Sequence, residues 1–235
     1  MALPQINSTP SYSVTVPSTG QEVTFRPFLV REQKTLLIAL ETQGREDMVR
    51  AIVRTIEACV EQDIKGELTT FDVDYLFTKI RSKSVGETSD LLVECTNCEH
   101  QNEITVELDD IEIKEVPSDT QITLTDDITI QMRYPTYGDF LKNPALINGS
   151  TVTESMLELI MTCIDSVMTE EEKFTLRDES KEDVIAFVES MTTEQFNRIG
   201  EFVENIPSIT STVNFTCAKC QTENERTFAG IDDFF

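Results

Sequence analysis

The sequence has very little histidine and no tryptophan. Its 235 residues include a single histidine, His100, so any Ser-His-Asp or Cys-His catalytic site would have to use that residue. No nucleophile elbow, glycine-rich phosphate loop or His-Glu-x-x-His motif occurs. Acidic pairs such as Asp109-Asp110 carry no signal in so acidic a chain. We therefore predict that the protein is not an enzyme and has no small-molecule substrate.

Basic residues are also scarce. Lys and Arg number 19 against 43 Asp and Glu, which gives a formal net charge of −24. Proteins that bind nucleic acid neutralise phosphates with Lys and Arg, and an anionic membrane surface repels an acidic protein. The charge therefore argues against both partners, and it favours a solvated acidic exterior that attracts basic protein surfaces.

Long apolar runs are missing as well. No run of about 18 apolar residues is present, so we expect no transmembrane helix. The first ten residues lack the basic and apolar regions of a secretory signal peptide, which predicts a protein that stays in a reducing cytoplasm. In that compartment cysteines are expected as thiols or metal thiolates rather than disulfides.

The spacing of apolar residues in the first half predicts an α+β fold, because stretches with a period of two residues alternate with stretches with a period of 3.6. Residues 12–25 alternate as a β-hairpin, and helical spacing follows in three helices between Leu29 and Ile80. Asp72 is the predicted N-cap of the third helix. The period then returns to two on both sides of the turn that begins at Cys95. Strand, Cys-x-x-Cys turn and strand together are the layout of a zinc knuckle.

The second half follows the same order. A hairpin is predicted over residues 122–132, and helical spacing then continues to Ile206, including one helix that reaches Ile164. A strand over residues 209–215 leads into a second Cys-x-x-Cys turn. Each half therefore reads as hairpin, helices and knuckle.

This shared order predicts two pseudo-repeats, which we take as domains 1–113 and 114–235. Cys163 lies 104 positions after Cys59 at the same place in the plan, while the Cys-x-x-Cys turns are 122 positions apart. An acidic insertion over residues 170–180 accounts for the added length. The predicted fold is thus α+β, with two pseudo-repeated halves joined at a shared zinc-ribbon-like site.

A nine-residue motif that occurs twice contains the candidate metal ligands. The stretch C-T-N-C-E-H-Q-N-E (95–103) returns as C-A-K-C-Q-T-E-N-E (217–225). A Cys-x-x-Cys turn offers two thiolates on one side of a tight loop, and a closed structural zinc site needs four ligands. One pair cannot complete that site, so the two turns are expected to share one Zn²⁺. The predicted ligands are Cys95, Cys98, Cys217 and Cys220.

Other uses of these cysteines remain open. A thioredoxin-like redox pair requires a cysteine at a helix N-terminus, whereas both pairs here lie between strands. Two separate disulfides, or plain thiols, are further alternatives. Cys59 and Cys163 lie on apolar helical faces and are predicted to be core thiols. His100 is predicted to be an exposed loop residue rather than a spare ligand.

The last five residues, I-D-D-F-F, place Phe234 and Phe235 at the end of the chain. Aromatic side chains can anchor an interface by filling a pocket of a neighbour. A frayed terminus, or packing of the tail onto its own chain, is the alternative.

Four stretches of the sequence are distinctive: L-P-x-I near the N-terminus, V-P-S-T-G-Q-E-V-T-F-R-P-F-L-V-R-E-Q-K-T-L-L-I-A-L (16–40), F-D-V-D-Y-L-F-T-K-I-R-S-K-S-V-G-E (71–87) and C-T-N-C. Together they resemble a family of small baseplate proteins from T-even-like contractile-tail phages, the family of the baseplate hub subunit. The resemblance is dense over residues 3–108 and looser afterwards. It assigns no ligand or catalytic residue to a position of this chain.

The resemblance implies a role in the tail baseplate hub. It implies a virion or assembly component, made in the host cytoplasm, whose partners are proteins of the hub and central spike. The first hypothesis is a non-enzymatic hub subunit stabilised by a four-cysteine zinc. The alternative is a hub assembly factor or chaperone that is absent from the mature virion. A redox or metal-handling protein is the third.

Overall fold

The mixed periods of the sequence correspond to a mixed α+β structure in the computed structural model. The described residues are 9–42, 44–64, 66–113, 116–143, 145–148 and 151–234. Phe235 and the L-P-x-I stretch of the resemblance lie outside these residues. None of the described helices is long and apolar enough to cross a membrane.

Short blocks of strand and helix follow one another along the chain. The strands are β1 (Tyr12–Thr15), β2 (Glu22–Phe25), β3 (Thr88–Glu94), β4 (Gln101–Glu107), β5 (Glu112–Ile113), β6 (Gln121–Thr123), β7 (Thr129–Met132), β8 (Ile164–Met168), β9 (Lys173–Thr175), β10 (Ile209–Thr216) and β11 (Glu223–Ala229). The α-helices are α1 (Val30–Thr42), α2 (Arg45–Cys59), α3 (Thr70–Ser84), α4 (Tyr137–Lys142), α5 (Ala145–Asn148), α6 (Val152–Cys163), α7 (Lys181–Glu189) and α8 (Thr193–Glu204). Short 3-10 helices cover Leu176–Asp178 and Ile231–Asp233.

These elements form two compact units. The first unit comprises the chain up to Lys114 together with the residues from Ser208 onward, and the second comprises Glu115–Pro207. The predicted boundary after residue 113 lies within one residue of the first change of unit. After Pro207 the compact units and the predicted pseudo-repeats divide the chain differently, because the C-terminal hairpin belongs to the first unit. The pseudo-repeat itself stays a prediction.

The first unit contains three small antiparallel sheets. β1 pairs with β2, β3 pairs with β4, and β10 lies between β11 and β5. A cluster of buried side chains from β3, β4, β10, β11 and the C-terminal turn lies beneath the last two sheets. Its members are Val93, Ile104, Val106, Leu108, Ile111, Ile209, Phe228 and Phe234.

Phe234 belongs to this core. Its side chain is fully buried, and its ring lies 5.9 Å from the ring of Phe228 between centroids. The Ser89 hydroxyl donates to the Phe234 carbonyl oxygen at 2.8 Å. Of the two interpretations of the tail, packing onto its own chain is therefore the one that the structure supports for Phe234.

In the second unit, one four-stranded antiparallel sheet in the order β6-β7-β8-β9 packs against α6, α7 and α8. Helical spacing in the sequence predicted that Ile164 belongs to a helix, and this prediction is wrong. α6 ends at Cys163, and Ile164 has extended backbone angles (φ −83°, ψ 115°) and begins β8. Ile164 and Val167 are β-branched and buried, so the sheet satisfies their preference better than a longer helix would.

The N-cap of α3 also differs from the prediction. Thr69 is the N-cap, since its hydroxyl accepts from the Asp72 backbone N–H at 3.2 Å. Asp72 is the third helical residue and returns the bond, because its carboxylate accepts from the Thr69 N–H at 2.9 Å. This reciprocal capping box satisfies two backbone donors that a helix terminus otherwise leaves without partners.

Arg26 connects the first hairpin to two helices of the first unit. Its backbone N–H donates to the carbonyl oxygen of Cys59, the last residue of α2, at 3.0 Å. Its guanidinium lies 3.1 Å from the carboxylate of Glu32 in the first turn of α1. Glu32 also accepts from the Leu29 N–H at 2.7 Å, so this carboxylate caps α1. Burial raises the pKa of Glu32, but hydrogen bonds from Arg31 and Arg26 outweigh it and hold the pKa at about 2.

Arg133 makes the corresponding set of contacts within the second unit. Its backbone N–H donates to the carbonyl oxygen of Cys163, the last residue of α6, at 2.8 Å. Its guanidinium forms a bidentate pair with the Asp139 carboxylate at 2.7 and 3.1 Å. Asp139 accepts from the Thr136 N–H at 2.9 Å and so caps α4. The same four-part arrangement of hairpin, arginine, capping carboxylate and terminal cysteine thus occurs once in each unit.

The low pKa of Glu32 predicts a specific acid sensitivity. A carboxyl whose folded pKa of about 2 lies below its ordinary value of 4.5 contributes stability that is fully present above pH 4.5. That contribution is lost as the pH falls towards 2, and its size is on the order of 3 kcal/mol. Glu32→Gln should therefore lower the unfolding free energy at neutral pH and flatten its decline in acid, measured by urea unfolding at a series of pH values. The control Glu57→Gln, at an exposed site on α2, should leave the profile unchanged.

Candidate metal centre

The two Cys-x-x-Cys turns meet in the first unit. One turn connects β3 to β4, and the other connects β10 to β11. The four sulfur atoms all lie within 4.8 Å of one another. The distances between the two turns are 3.6 Å from Cys95 Sγ to Cys220 Sγ and 3.7 Å from Cys98 Sγ to Cys217 Sγ. Residues that are more than a hundred positions apart in the sequence thus form one cluster of side chains.

The spacing of the sulfurs fits a tetrahedral metal ion. Zinc–sulfur bonds of about 2.3 Å place the corners of a tetrahedron about 3.8 Å apart, close to the observed 3.6 and 3.7 Å. Disulfide sulfurs are separated by about 2.05 Å, and all four cysteines are free thiols in this structure. The four side chains together could therefore hold one metal ion.

Each Cys loop is closed by the same backbone hydrogen bonds. In the first Cys loop (residues 95–100), the Cys95 N–H donates to the His100 carbonyl oxygen at 2.9 Å. In the second Cys loop (residues 217–222), the Cys217 N–H donates to the Thr222 carbonyl oxygen at the same distance. The residue after each second cysteine has positive φ, 56° at Glu99 and 61° at Gln221, which turns the chain sharply back into the next strand.

Two buried asparagines join the Cys loops to each other. The Asn102 amide donates to the His100 carbonyl oxygen of its own loop at 2.9 Å, and its oxygen accepts from the Ala218 N–H of the other loop, also at 2.9 Å. Asn224 does the converse: it donates to the Thr222 carbonyl oxygen at 2.8 Å and accepts from the Thr96 N–H at 3.0 Å. The two loops are therefore held face to face by a reciprocal pair of side-chain bridges.

The sulfurs occupy different environments. Cys95 and Cys217 are buried, whereas Cys98 and Cys220 are half-buried. The Thr222 hydroxyl, 3.2 Å from Cys220 Sγ, and the Thr222 backbone amide lower the pKa of Cys220 to about 5. Cys95 Sγ accepts from the backbone N–H of Asn97 at 3.4 Å. Hydrogen-bond donors therefore point at the sulfurs of Cys95 and Cys220, as suits thiolate ligands.

The other candidate residues lie outside this cluster. The His100 side chain is exposed, and the group of possible metal ligands contains the four cysteines alone among the described residues. Cys59 and Cys163 are fully buried ends of helices, and burial raises their pKa values to about 11 and about 12. They are core thiols, as predicted.

The asparagine bridges were not predicted from the sequence. The repeated nine-residue motif did indicate that the two asparagines are equivalent, because Asn102 and Asn224 occupy the same position in its two copies. An asparagine near a turn, however, ordinarily bonds its own backbone, so the sequence gives no reason to expect a bond to the other loop.

The bridges predict equal roles for the two asparagines. Asn102→Ala and Asn224→Ala should each lower the unfolding free energy by about 1–3 kcal/mol, because each change leaves backbone groups in both loops without partners. Asn97→Ala is the control: this exposed amide reaches Thr222 Oγ1 at 3.3 Å, and its loss should cost less than about 0.5 kcal/mol. Urea unfolding followed by circular dichroism measures all three. A loss at Asn102 or Asn224 as small as that at Asn97 would contradict the bridging role.

Comparison with known proteins identifies the family. A family model described as T4 bacteriophage base plate protein matches residues 9–235, which is nearly the whole chain. No curated protein and no solved structure matches the chain. The match extends past the dense part of the resemblance and includes both Cys loops. It carries with it a structural role in the phage tail baseplate and contacts with other tail proteins. The chain therefore belongs to the T4 bacteriophage base plate protein family.

Proposed function

We propose that the protein is a non-enzymatic structural subunit of the baseplate hub, stabilised by one Zn²⁺ bound to Cys95, Cys98, Cys217 and Cys220. The observation that carries the metal assignment is the near-tetrahedral spacing of four thiols from two loops. Four thiolates in tetrahedral geometry suit Zn²⁺ or iron, and a mononuclear site formed by two Cys-x-x-Cys knuckles is typical of structural zinc.

Zinc at this position would hold the returning segment, β10 and β11, in the first unit. The first unit is discontinuous, because the chain leaves it after Lys114 and returns at Ser208. The entropy of closing so long a loop has to be offset by contacts made after the return. A structural zinc contributes about 10–16 kcal/mol in small peptides, which is comparable to the whole stability of a domain at about 5–15 kcal/mol. Metal binding would therefore add strongly to the free energy that keeps β10 and β11 docked.

The same coordination argues against catalysis. A catalytic zinc keeps one position open for water or substrate, whereas four protein thiolates fill all four positions. The chain's one histidine, His100, is exposed beside the site. The sequence contains no motif that pairs this histidine with a nucleophile. Zinc would thus supply stability and not a reaction. A redox role is also disfavoured, since both pairs connect strands and neither lies at a helix N-terminus.

We also infer that residues 1–113 and 114–235 are pseudo-repeats. The supporting observation is that Arg26 and Arg133 each bond a terminal helix carbonyl and a capping carboxylate in the same way. The two Cys loops repeat one hydrogen-bond pattern as well. Duplication would explain why two half-sites with two ligands each occur in one chain.

Hub identity and location rest on the resemblance over residues 3–108. We place the protein in the hub of the virion baseplate, with the host cytoplasm as its site of synthesis and assembly, and with hub and tail proteins rather than nucleic acid or membrane as partners. The net charge of −24 suits basic protein partners, for which complementary charge sets orientation more than affinity. The second candidate, an assembly factor that leaves before maturation, shares all these features and differs only in the composition of the finished particle.

Metal analysis tests the shared zinc. The purified full chain should contain one zinc per molecule, measured by inductively coupled plasma mass spectrometry. Cys95→Ser and Cys217→Ser should each abolish zinc binding and lower the thermal midpoint to the same extent. Cys59→Ala is the control, because it removes a core thiol outside the cluster and should leave the zinc content intact. Retention of zinc by Cys217→Ser but not by Cys95→Ser would show that the two turns do not share a metal. A metal-free chain with reversible thiol oxidation would favour the redox role.

The composition of the virion tests the hub role. Quantitative peptide mass spectrometry of purified mature virions should detect this chain at a fixed ratio to the other baseplate proteins. Its presence only in baseplate assembly intermediates, and not in mature particles, would contradict a structural subunit and favour the assembly factor.

A further inference from the structure

The outward face of α1 is apolar. Val30, Leu37, Ile38 and Leu40 are 79%, 52%, 50% and 57% exposed, while the inward face is formed by buried residues such as Leu36. An amphipathic helix ordinarily presents charged and polar side chains to solvent. A group of exposed apolar side chains of this kind marks an interaction surface.

Two opposite charges flank the centre of this face. Lys34 precedes Leu37 by three residues, and Glu41 follows it by four, so that Val30, Lys34, Leu37 and Glu41 lie along one stripe of the helix. Seven residues of helix separate the two charges by about 10 Å, which is too far for them to pair with each other. Among the described residues neither has an ion-pair partner.

We propose that this face binds a second copy of the chain through α1, with the two helices antiparallel. A two-fold axis between Leu37 and Ile38 would bring the two Leu37 side chains close together and place each Lys34 beside Glu41 of the partner subunit. A parallel arrangement would instead bring Lys34 beside Lys34 and Glu41 beside Glu41, which is repulsive. The α1 stripe is therefore complementary to itself in one orientation only.

The charge distribution favours this place for self-association. Two copies of a chain with a net charge of −24 repel each other over most of their surfaces. The exposed charges of α1 are those of Arg31, Lys34 and Glu41, because Glu32 is buried against Arg26. The contact surface therefore has no acidic excess. A helix of 13 residues is about 20 Å long, so the interface is small and its affinity is expected in the micromolar range.

Sedimentation equilibrium of the full chain tests the proposal at about 0.15 M salt, where distant charges are screened, over roughly 1–200 µM protein. The wild-type mass should rise from 26.6 kDa towards twice that value. Leu37→Glu should remain monomeric. Lys34→Glu and Glu41→Lys should each weaken dimerisation about tenfold, since each places like charges together. The double variant Lys34→Glu/Glu41→Lys should restore it, because the pairs are re-formed with their signs exchanged.

Leu92→Glu is the matched control, because Leu92 is 65% exposed on β3 and lies outside α1; this variant should dimerise like the wild type. Circular dichroism shows whether each variant keeps its fold, which is expected since the substituted side chains are largely exposed. A wild-type chain that stays monomeric throughout the range would overturn the proposal. Dimers that persist in Leu37→Glu, or single charge variants that the double variant does not rescue, would equally exclude this antiparallel interface.

Discussion

The contact between the two Cys loops is the constraint on which the first unit depends. The chain leaves this unit after Lys114, builds a separate unit up to Pro207 and then has to return. β10 and β11 complete the unit only after that return, and β10 pairs with β5 over just two residues. The asparagine bridges and the four sulfurs therefore hold a segment that its strand pairing alone would hold weakly.

The asparagine bridges and the sulfurs have different roles in the same site. The Asn102 and Asn224 bonds fix the relative position of the loops through neutral hydrogen bonds that need no metal. The sulfurs then lie at distances that a tetrahedral ion requires. A site built in this way is preorganised, so that binding does not have to supply the full cost of bringing four thiolates together. Zinc on such a scaffold would strengthen a contact that already exists.

Local signals in the sequence were sufficient to predict which four cysteines the structure brings together. Two Cys-x-x-Cys turns between alternating strands specify the loops, and the need for four ligands unites them. The helical period likewise identified the buried positions of Cys59 and Cys163. The strand that begins at Ile164 was missed because a short apolar segment at the end of a helical pattern fits either period. The assignment of β10 and β11 to the first unit depends on pairing between distant residues, which periodicity does not record.

The scarcity of basic residues affects both the interior contacts of the fold and the charge of its surface. Arg26 and Arg133 lie against capping carboxylates, and Lys83 pairs with Asp109, so several of the few cations are paired with carboxylates of the same chain. Acidic groups outnumber cations in the rest of the sequence, and a negative potential favours basic proteins over further copies of the chain. The outward face of α1 differs from that surface in two respects, because it is apolar and its two stripe charges have opposite signs. Contact between copies is therefore least opposed at α1, where the helix can also bury apolar side chains.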